Sequence, residues 1–120
     1  MAAPPGDERR WVSDLWGELR GLGPRLLAHF AAEERSGLFE EIGERNPEDL
    51  RAARRLREDH HELANLLARL HGEALAWPVS GGARAFAARV RAFLRALEAH
   101  EARENDVLLR SLDGSMAAAD

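Results

Sequence analysis

Apolar side chains recur every three or four positions along most of the chain, which is the spacing of one face of an α-helix. The first series is Trp11, Leu15, Leu19, Leu22, Leu26, His29 and Glu33. The second is Leu56, His60, Leu63, Leu67 and Leu70, and the third is Val90, Phe93, Leu97, His100, Glu104 and Val107. No stretch alternates as a half-buried strand would. The pattern predicts an all-α, up-down antiparallel bundle of three long helices.

Gly21, Gly23 and Pro24 interrupt the first series. Proline fits the first turn of a helix, but it costs about 3 kcal/mol in a helix interior. The first helix is therefore predicted either to kink near Pro24 or to split there, which would give four helices. The apolar spacing continues across the interruption and favours the kinked helix. That helix is predicted to end near residues 43–46.

Capping residues define the later boundaries. Asn46 and Pro47 supply an N-cap and a first-position proline for a second helix, which is predicted to end near Leu75. A turn around Pro78 then precedes a last long helix over about residues 83–112.

The 120 residues are enough for one domain, and 45% hydrophobic with 32% charged residues is ordinary for a soluble helical protein. Residues 1–7, rich in proline and alanine, are predicted to be a disordered lead-in. The bundle is expected over residues 8–113, and residues 114–120 are expected to fray.

Charge and cysteine content narrow the function classes. A net charge of −4 argues against nucleic acid or an anionic membrane surface as a partner. No apolar run approaches the roughly 18 residues that a membrane span requires. The chain has no cysteine, which excludes disulfides, thiolate metal sites and cysteine nucleophiles. A cytoplasmic protein is the expectation.

Three histidines, His29, His60 and His100, fall within the apolar series, and Glu33 and Glu104 follow two of them by four residues. Residues four apart lie on the same helix face, so both His-x-x-x-Glu pairs are predicted to point into the bundle. An unpartnered buried carboxylate costs roughly 3–5 kcal/mol. The sequence therefore predicts a cation, most economically a metal ion, between the helices.

Helix phase and depth select the histidines that can share a site. His60 continues the apolar series, whereas His61 falls in line with arginines on a polar flank. His29 and His60 are each roughly 20 Å from the loop that joins their helices, at 1.5 Å per residue. His60 and His100 likewise lie at similar distances from the loop that joins their two helices. All three imidazoles are expected at one level of the bundle, where nitrogen and carboxylate ligands favour iron, manganese or zinc.

The chain resembles the hemerythrin-like (HHE cation-binding) family. The resemblance rests on Leu-Leu-Ala-His29-Phe-Ala-Ala-Glu33-Glu followed by Gly-Leu-Phe, on Leu-Arg-Glu-Asp-His60, and on His100-Glu-Ala-Arg-Glu104. It implies that these three histidines and two glutamates match the family's iron ligands, with the glutamates as bridging groups. It also implies one or two non-haem iron ions per chain. The family uses such iron for oxygen binding, oxygen or redox sensing, or iron handling.

The chain also departs from the family pattern. No histidine precedes His29, although a full di-iron site usually takes one from the first helix. Ala64 stands where oxygen carriers have a second histidine on the middle helix, so reversible oxygen carriage is not expected. The alternatives for the missing ligands are His61, Glu34, Glu58, Glu101 and a residue of a partner in a homodimer. An exposed Trp11 or Trp16 would indicate such a dimer face.

Three functions remain open. The leading hypothesis is a non-enzymatic iron protein for oxygen or redox sensing or iron handling, with dioxygen as a ligand and no catalytic residue assigned. The second is an enzyme whose di-iron centre reacts with oxygen or peroxide. The third is a metal-free helical interaction module that has kept the family's fold and lost its site.

Overall fold

A computed structural model describes residues 8–76 and 81–119, with side chains up to Leu112. Its helices are α1 (Glu8–Arg20), α2 (Leu22–Arg35), α3 (Leu38–Arg45), α4 (Leu50–Leu75) and α5 (Gly82–Ala119). A short 3-10 turn, Pro47–Asp49, leads into α4. These described stretches contain no strand, and the predicted all-α fold is confirmed.

The first interruption is a bend rather than a turn. Gly21 keeps a helical backbone with φ −66° and ψ −25°, so α1 and α2 form one bent helix. Pro24 is the third residue of α2, and it has no N–H to donate to the carbonyl four residues earlier, at the end of α1, which is where the helix bends. The predicted kink near Pro24 is confirmed, and its position is Gly21.

A second interruption was not expected from the apolar spacing. The helix that carries His29 ends at Arg35, and α3 starts at Leu38, whereas the sequence predicts one helix to residues 43–46. The cause is Gly37, which has a left-handed backbone with φ 73°. This conformation ends helices and is open to glycine at little cost.

The packing clusters fix the helix directions. One cluster joins α1 and α2 to the second half of α4 and the first half of α5, and it is built on Trp16, Leu26, Phe30, Leu67 and Phe86. The other joins α3 to the first half of α4 and to Val107 near the end of α5. The α1–α3 run is therefore parallel to α5 and antiparallel to α4. The region between the two clusters holds the buried histidines.

The end of the last helix and the exposure of two tryptophans can also be compared with the predictions from sequence. Helix α5 continues to Ala119, beyond the end predicted near residue 112, while the lead-in 1–7 and the turn at Pro78 lie outside the described residues. Trp16 is buried and Trp11 is half-buried against the same cluster, so neither meets the condition set for a dimer face. None of the described helices has the length and apolar character needed to cross a membrane.

Candidate metal centre

Three helices place ionisable side chains between the two apolar clusters. His60 comes from the middle of α4 and His100 from the middle of α5, and both are buried. Their ring centroids are 4.9 Å apart. Glu33 from α2 and Glu104 from α5 lie beside them, with side chains only 10% and 16% exposed. Side chains from α2, α4 and α5 therefore lie close together between the two apolar clusters.

One group of potential ligands consists of His60, His100 and Glu104. One nitrogen or oxygen from each lies within 4.8 Å of the other two, which is close enough for a shared ion. Within this group, His100 Nε2 lies 3.3 Å from Glu104 Oε2. Two imidazoles and one carboxylate thus converge on one position.

A second group consists of His29, Glu33 and Glu104, again with ligand atoms within 4.8 Å of one another. His29 Nε2 is 3.1 Å from Glu33 Oε1, and the same oxygen is 3.6 Å from His60 Nε2. Because Glu104 belongs to both groups, its carboxylate lies where it can be shared between two neighbouring positions.

The prediction that His29 points into the bundle is wrong, since 62% of its side chain is exposed. The inward position of this turn belongs to Phe30, which is buried and follows Leu26 by four residues. Adjacent helix residues are about 100° apart, and the more apolar phenylalanine takes the core. His29 lies instead at the rim, and its imidazole reaches Glu33 from outside.

Aromatic rings enclose the His60 imidazole. Phe30 stacks on it with centroids 4.0 Å apart and an angle of 11°, and Phe39 from α3 contacts it at 5.5 Å. Burial, and then the neighbouring His100, lower the pKa of His60. The ring is therefore held in the neutral form, which is the form that binds a metal ion.

The two buried glutamates share one proton. Burial, with a further contribution from the neighbouring Glu104, raises the pKa of Glu33 to about 8. The adjacent His100 outweighs burial at Glu104 and lowers its pKa to about 2, with Glu33 also contributing. At neutral pH the pair therefore carries one negative charge, on Glu104.

Several buried polar atoms lie near other polar atoms here but are not aligned for a hydrogen bond within the described part of the chain: Glu33 Oε1, both ring nitrogens of His60, and His100 Nε2. A buried polar atom without a partner costs about 1–3 kcal/mol, so four in one place need an explanation. These atoms are carboxylate oxygens and imidazole nitrogens, the donors that iron, manganese and zinc accept. The residues fit a metal ion.

Sequence reasoning missed Asp59, which is buried behind His100. Its Oδ2 lies 3.0 Å from His100 Nδ1 and accepts hydrogen bonds from Arg103. Its Oδ1 accepts one from Arg55 at 3.1 Å. The bonds from His100 and Arg103 overcome burial and lower the pKa of Asp59, while Glu104 and Asp59 together overcome burial and raise the pKa of His100.

The four residues considered for the missing ligands differ in how close they lie to the buried cluster. Glu34 Oε1 is 3.6 Å from His60 Nδ1, and its side chain is about one-third exposed. His61, Glu58 and Glu101 are exposed on the outside of their helices. Glu34 is thus the only one of the four that the fold brings to the buried cluster.

The fold and the cluster together define a helical bundle with a histidine–carboxylate centre between its helices, which is the architecture of bundle-core metal proteins. The model of the hemerythrin HHE cation-binding domain matches residues 1–112. The chain belongs to this family. No curated protein and no solved structure gives a significant match. The resemblance first read from the three His and Glu motifs is confirmed.

Proposed function

We propose that this chain binds non-haem iron, one or two ions, between α2, α4 and α5. The convergence of His60, His100 and Glu104 carries the proposal. One ligand atom from each lies within 4.8 Å of the others, and the imidazole nitrogens that take part have no hydrogen-bond partner among the described residues. His29 and Glu33 would hold a second ion, with Glu104 shared between the two. This is the five-residue ligand set predicted from the sequence, with His29 at its solvent edge.

The donor set supports iron over other metals. Two imidazoles and one carboxylate with open positions are typical of non-haem Fe(II) sites, and the chain has no thiolate to favour zinc. The neutral His60 is ready to bind, and Glu104 supplies the negative charge. Glu33 would lose its proton when an ion arrives, because a carboxylate ligand must be deprotonated.

The role we propose is oxygen or redox sensing, or iron handling, rather than oxygen carriage. Three protein ligands at each position leave room for a small molecule, as an exchanging or reactive site requires. Iron, when bound, supplies one-electron redox chemistry and a place at which dioxygen can react. The exposed His29 puts the outer position within reach of solvent, while Phe30 and Phe39 keep water from the inner face of His60.

Metal analysis of protein reconstituted with Fe(II) without oxygen tests the assignment. We expect one or two irons per wild-type chain and loss of most of the metal in His60→Ala and Glu104→Ala. Matched controls are His61→Ala and Glu101→Ala, which remove the same side chains from exposed neighbouring positions. Iron content that is equal in the site variants and the controls would refute the site, and an iron-free wild type would refute the function.

A second candidate function is an enzyme whose iron reacts repeatedly with oxygen or peroxide. The open positions and the exposed rim at His29 favour it. Consumption of peroxide or dioxygen by the iron-loaded protein distinguishes the two. Turnover above that of free iron identifies an enzyme, and its absence leaves the sensing or iron-handling role.

A further inference from the structure

We propose that Asp59 is a positioning residue that fixes the orientation and tautomer of His100, so that Nε2 of His100 is the nitrogen presented to the metal. The proposal rests on the metal-binding function above. It concerns a residue outside the ligand set, one that contacts no metal position itself.

The geometry assigns a separate partner to each end of the His100 ring. Nδ1 is 3.0 Å from Asp59 Oδ2, and both side chains are almost fully buried. Nε2 lies 3.3 Å from Glu104 Oε2 but is not aligned for a hydrogen bond with it or with any other described residue. Both neighbours are carboxylates that only accept, but only the Asp59 contact has hydrogen-bond geometry, so in the neutral ring the hydrogen lies on Nδ1. The Nε2 lone pair is then free for a metal ion, which is how an outer carboxylate selects the ligand nitrogen.

Two arginines hold the Asp59 carboxylate in place. Arg103 donates from Nε and Nη2 to Oδ2, at 3.1 and 2.8 Å, and Arg55 donates from Nε to Oδ1 at 3.1 Å. Both oxygens are thereby bound, and the carboxylate plane cannot rotate without breaking a charge-assisted bond. The arginine side chains themselves are about half exposed.

His60 lacks an equivalent support, which shows what Asp59 adds. Among the described residues, the carboxylate oxygen that approaches His60 Nδ1 belongs to Glu34, at 3.6 Å, and Nδ1 forms no hydrogen bond. His60 is oriented by the stacked Phe30 ring instead. Of the two buried imidazoles, only His100 has its distal nitrogen tied to a carboxylate that is itself held by other side chains.

Two measurements test the proposal. Nitrogen-15 NMR of the metal-free protein, at a pH where the ring is neutral, should show His100 of the wild type as the Nδ1–H tautomer. Asp59→Asn should lose this preference and bind zinc(II), used as a diamagnetic probe, about 10–100-fold more weakly. Iron(II) binding without oxygen should fall in the same way. Asp106→Asn is the matched control, since it removes an exposed carboxylate from α5 and should leave both readouts unchanged.

The outcomes separate the proposal from the function on which it rests. An Nε2–H tautomer in the wild type overturns the positioning role whether or not the variant folds. Equal zinc affinity in Asp59→Asn and wild type overturns it as well, and so does a loss of affinity with the tautomer unchanged. A wild type that binds neither metal overturns the proposed function instead, while its tautomer still reports on the contact between Asp59 and His100.

Discussion

Replacing Glu33 by Gln should make the metal-free protein more stable at alkaline pH. The glutamate has a pKa of about 8 in the fold, against 4.5 for an ordinary glutamate. Between these values the folded chain holds a proton that the unfolded chain has lost, so the free energy of unfolding falls as the pH rises. Glutamine stays neutral, and its amide can donate to Glu104 as the protonated carboxyl group does.

The pKa difference sets the size of the effect. One pKa unit corresponds to about 1.4 kcal/mol, so a rise from 4.5 to about 8 corresponds to a loss of up to about 5 kcal/mol. This is a large share of the roughly 5–15 kcal/mol that stabilises a typical domain. Glu104 is present in both proteins and its pKa depends in part on Glu33, so the difference between the two proteins reports the Glu33–Glu104 pair rather than Glu33 alone.

Urea unfolding of chelator-treated protein, followed by circular dichroism, measures the effect. We expect the wild type to lose stability between about pH 5 and about pH 9, and Glu33→Gln to lose clearly less over that range, because only the other groups still titrate. Glu101→Gln is the control, since it changes an exposed carboxylate outside the cluster and should keep the wild-type slope. Parallel curves for Glu33→Gln and wild type would refute the shared-proton interpretation.

Other substitutions test the packing and the bend. Phe30→Leu keeps an apolar side chain but loses the ring stacked on His60, so it should lower the free energy of unfolding by about 1 kcal/mol. Phe30→Ala also leaves a cavity and should lower the free energy of unfolding by about 3–5 kcal/mol. Equal stability of the two variants would contradict this. Gly37→Ala should destabilise by about 1–2 kcal/mol because φ is 73°, whereas Gly17→Ala, with nothing within 4 Å of the added carbon, should stabilise by about 0.5–1 kcal/mol. Thermal unfolding measures both, and shifts of the same sign would refute the backbone argument.

The helices and the choice between His60 and His61 followed from periodicity, because the buried face of a long helix repeats in the sequence. The same reasoning failed at His29. Both His29 and Phe30 continue the spacing from Leu26, and only the higher hydrophobicity of phenylalanine decides which side chain is buried. Where two adjacent helix residues both fit the apolar spacing, their hydrophobicities must also be compared to predict which one is buried.

Two features could not be predicted from periodicity at all. The contact between Asp59 and His100 joins residues 41 positions apart and depends on how α4 and α5 pack. Its only local signal is Arg55 four residues before Asp59, a spacing that also occurs on solvent-exposed helices. The end of α2 did have a local signal, since serine followed by glycine is typical of a helix C-terminus, but the apolar spacing runs through it.

The left-handed Gly37 lies between two helices whose side chains both contact His60. Glu33 lies in the last turn of α2, before Gly37, and Phe39 lies in the first turn of α3, after it. Both side chains approach the same imidazole, from Glu33 Oε1 at 3.6 Å and from the Phe39 ring at 5.5 Å. The His60 ring therefore contacts both of the helices that Ser36 and Gly37 join. A shift of His60 has to be absorbed by α2, by α3 or by the angle between them.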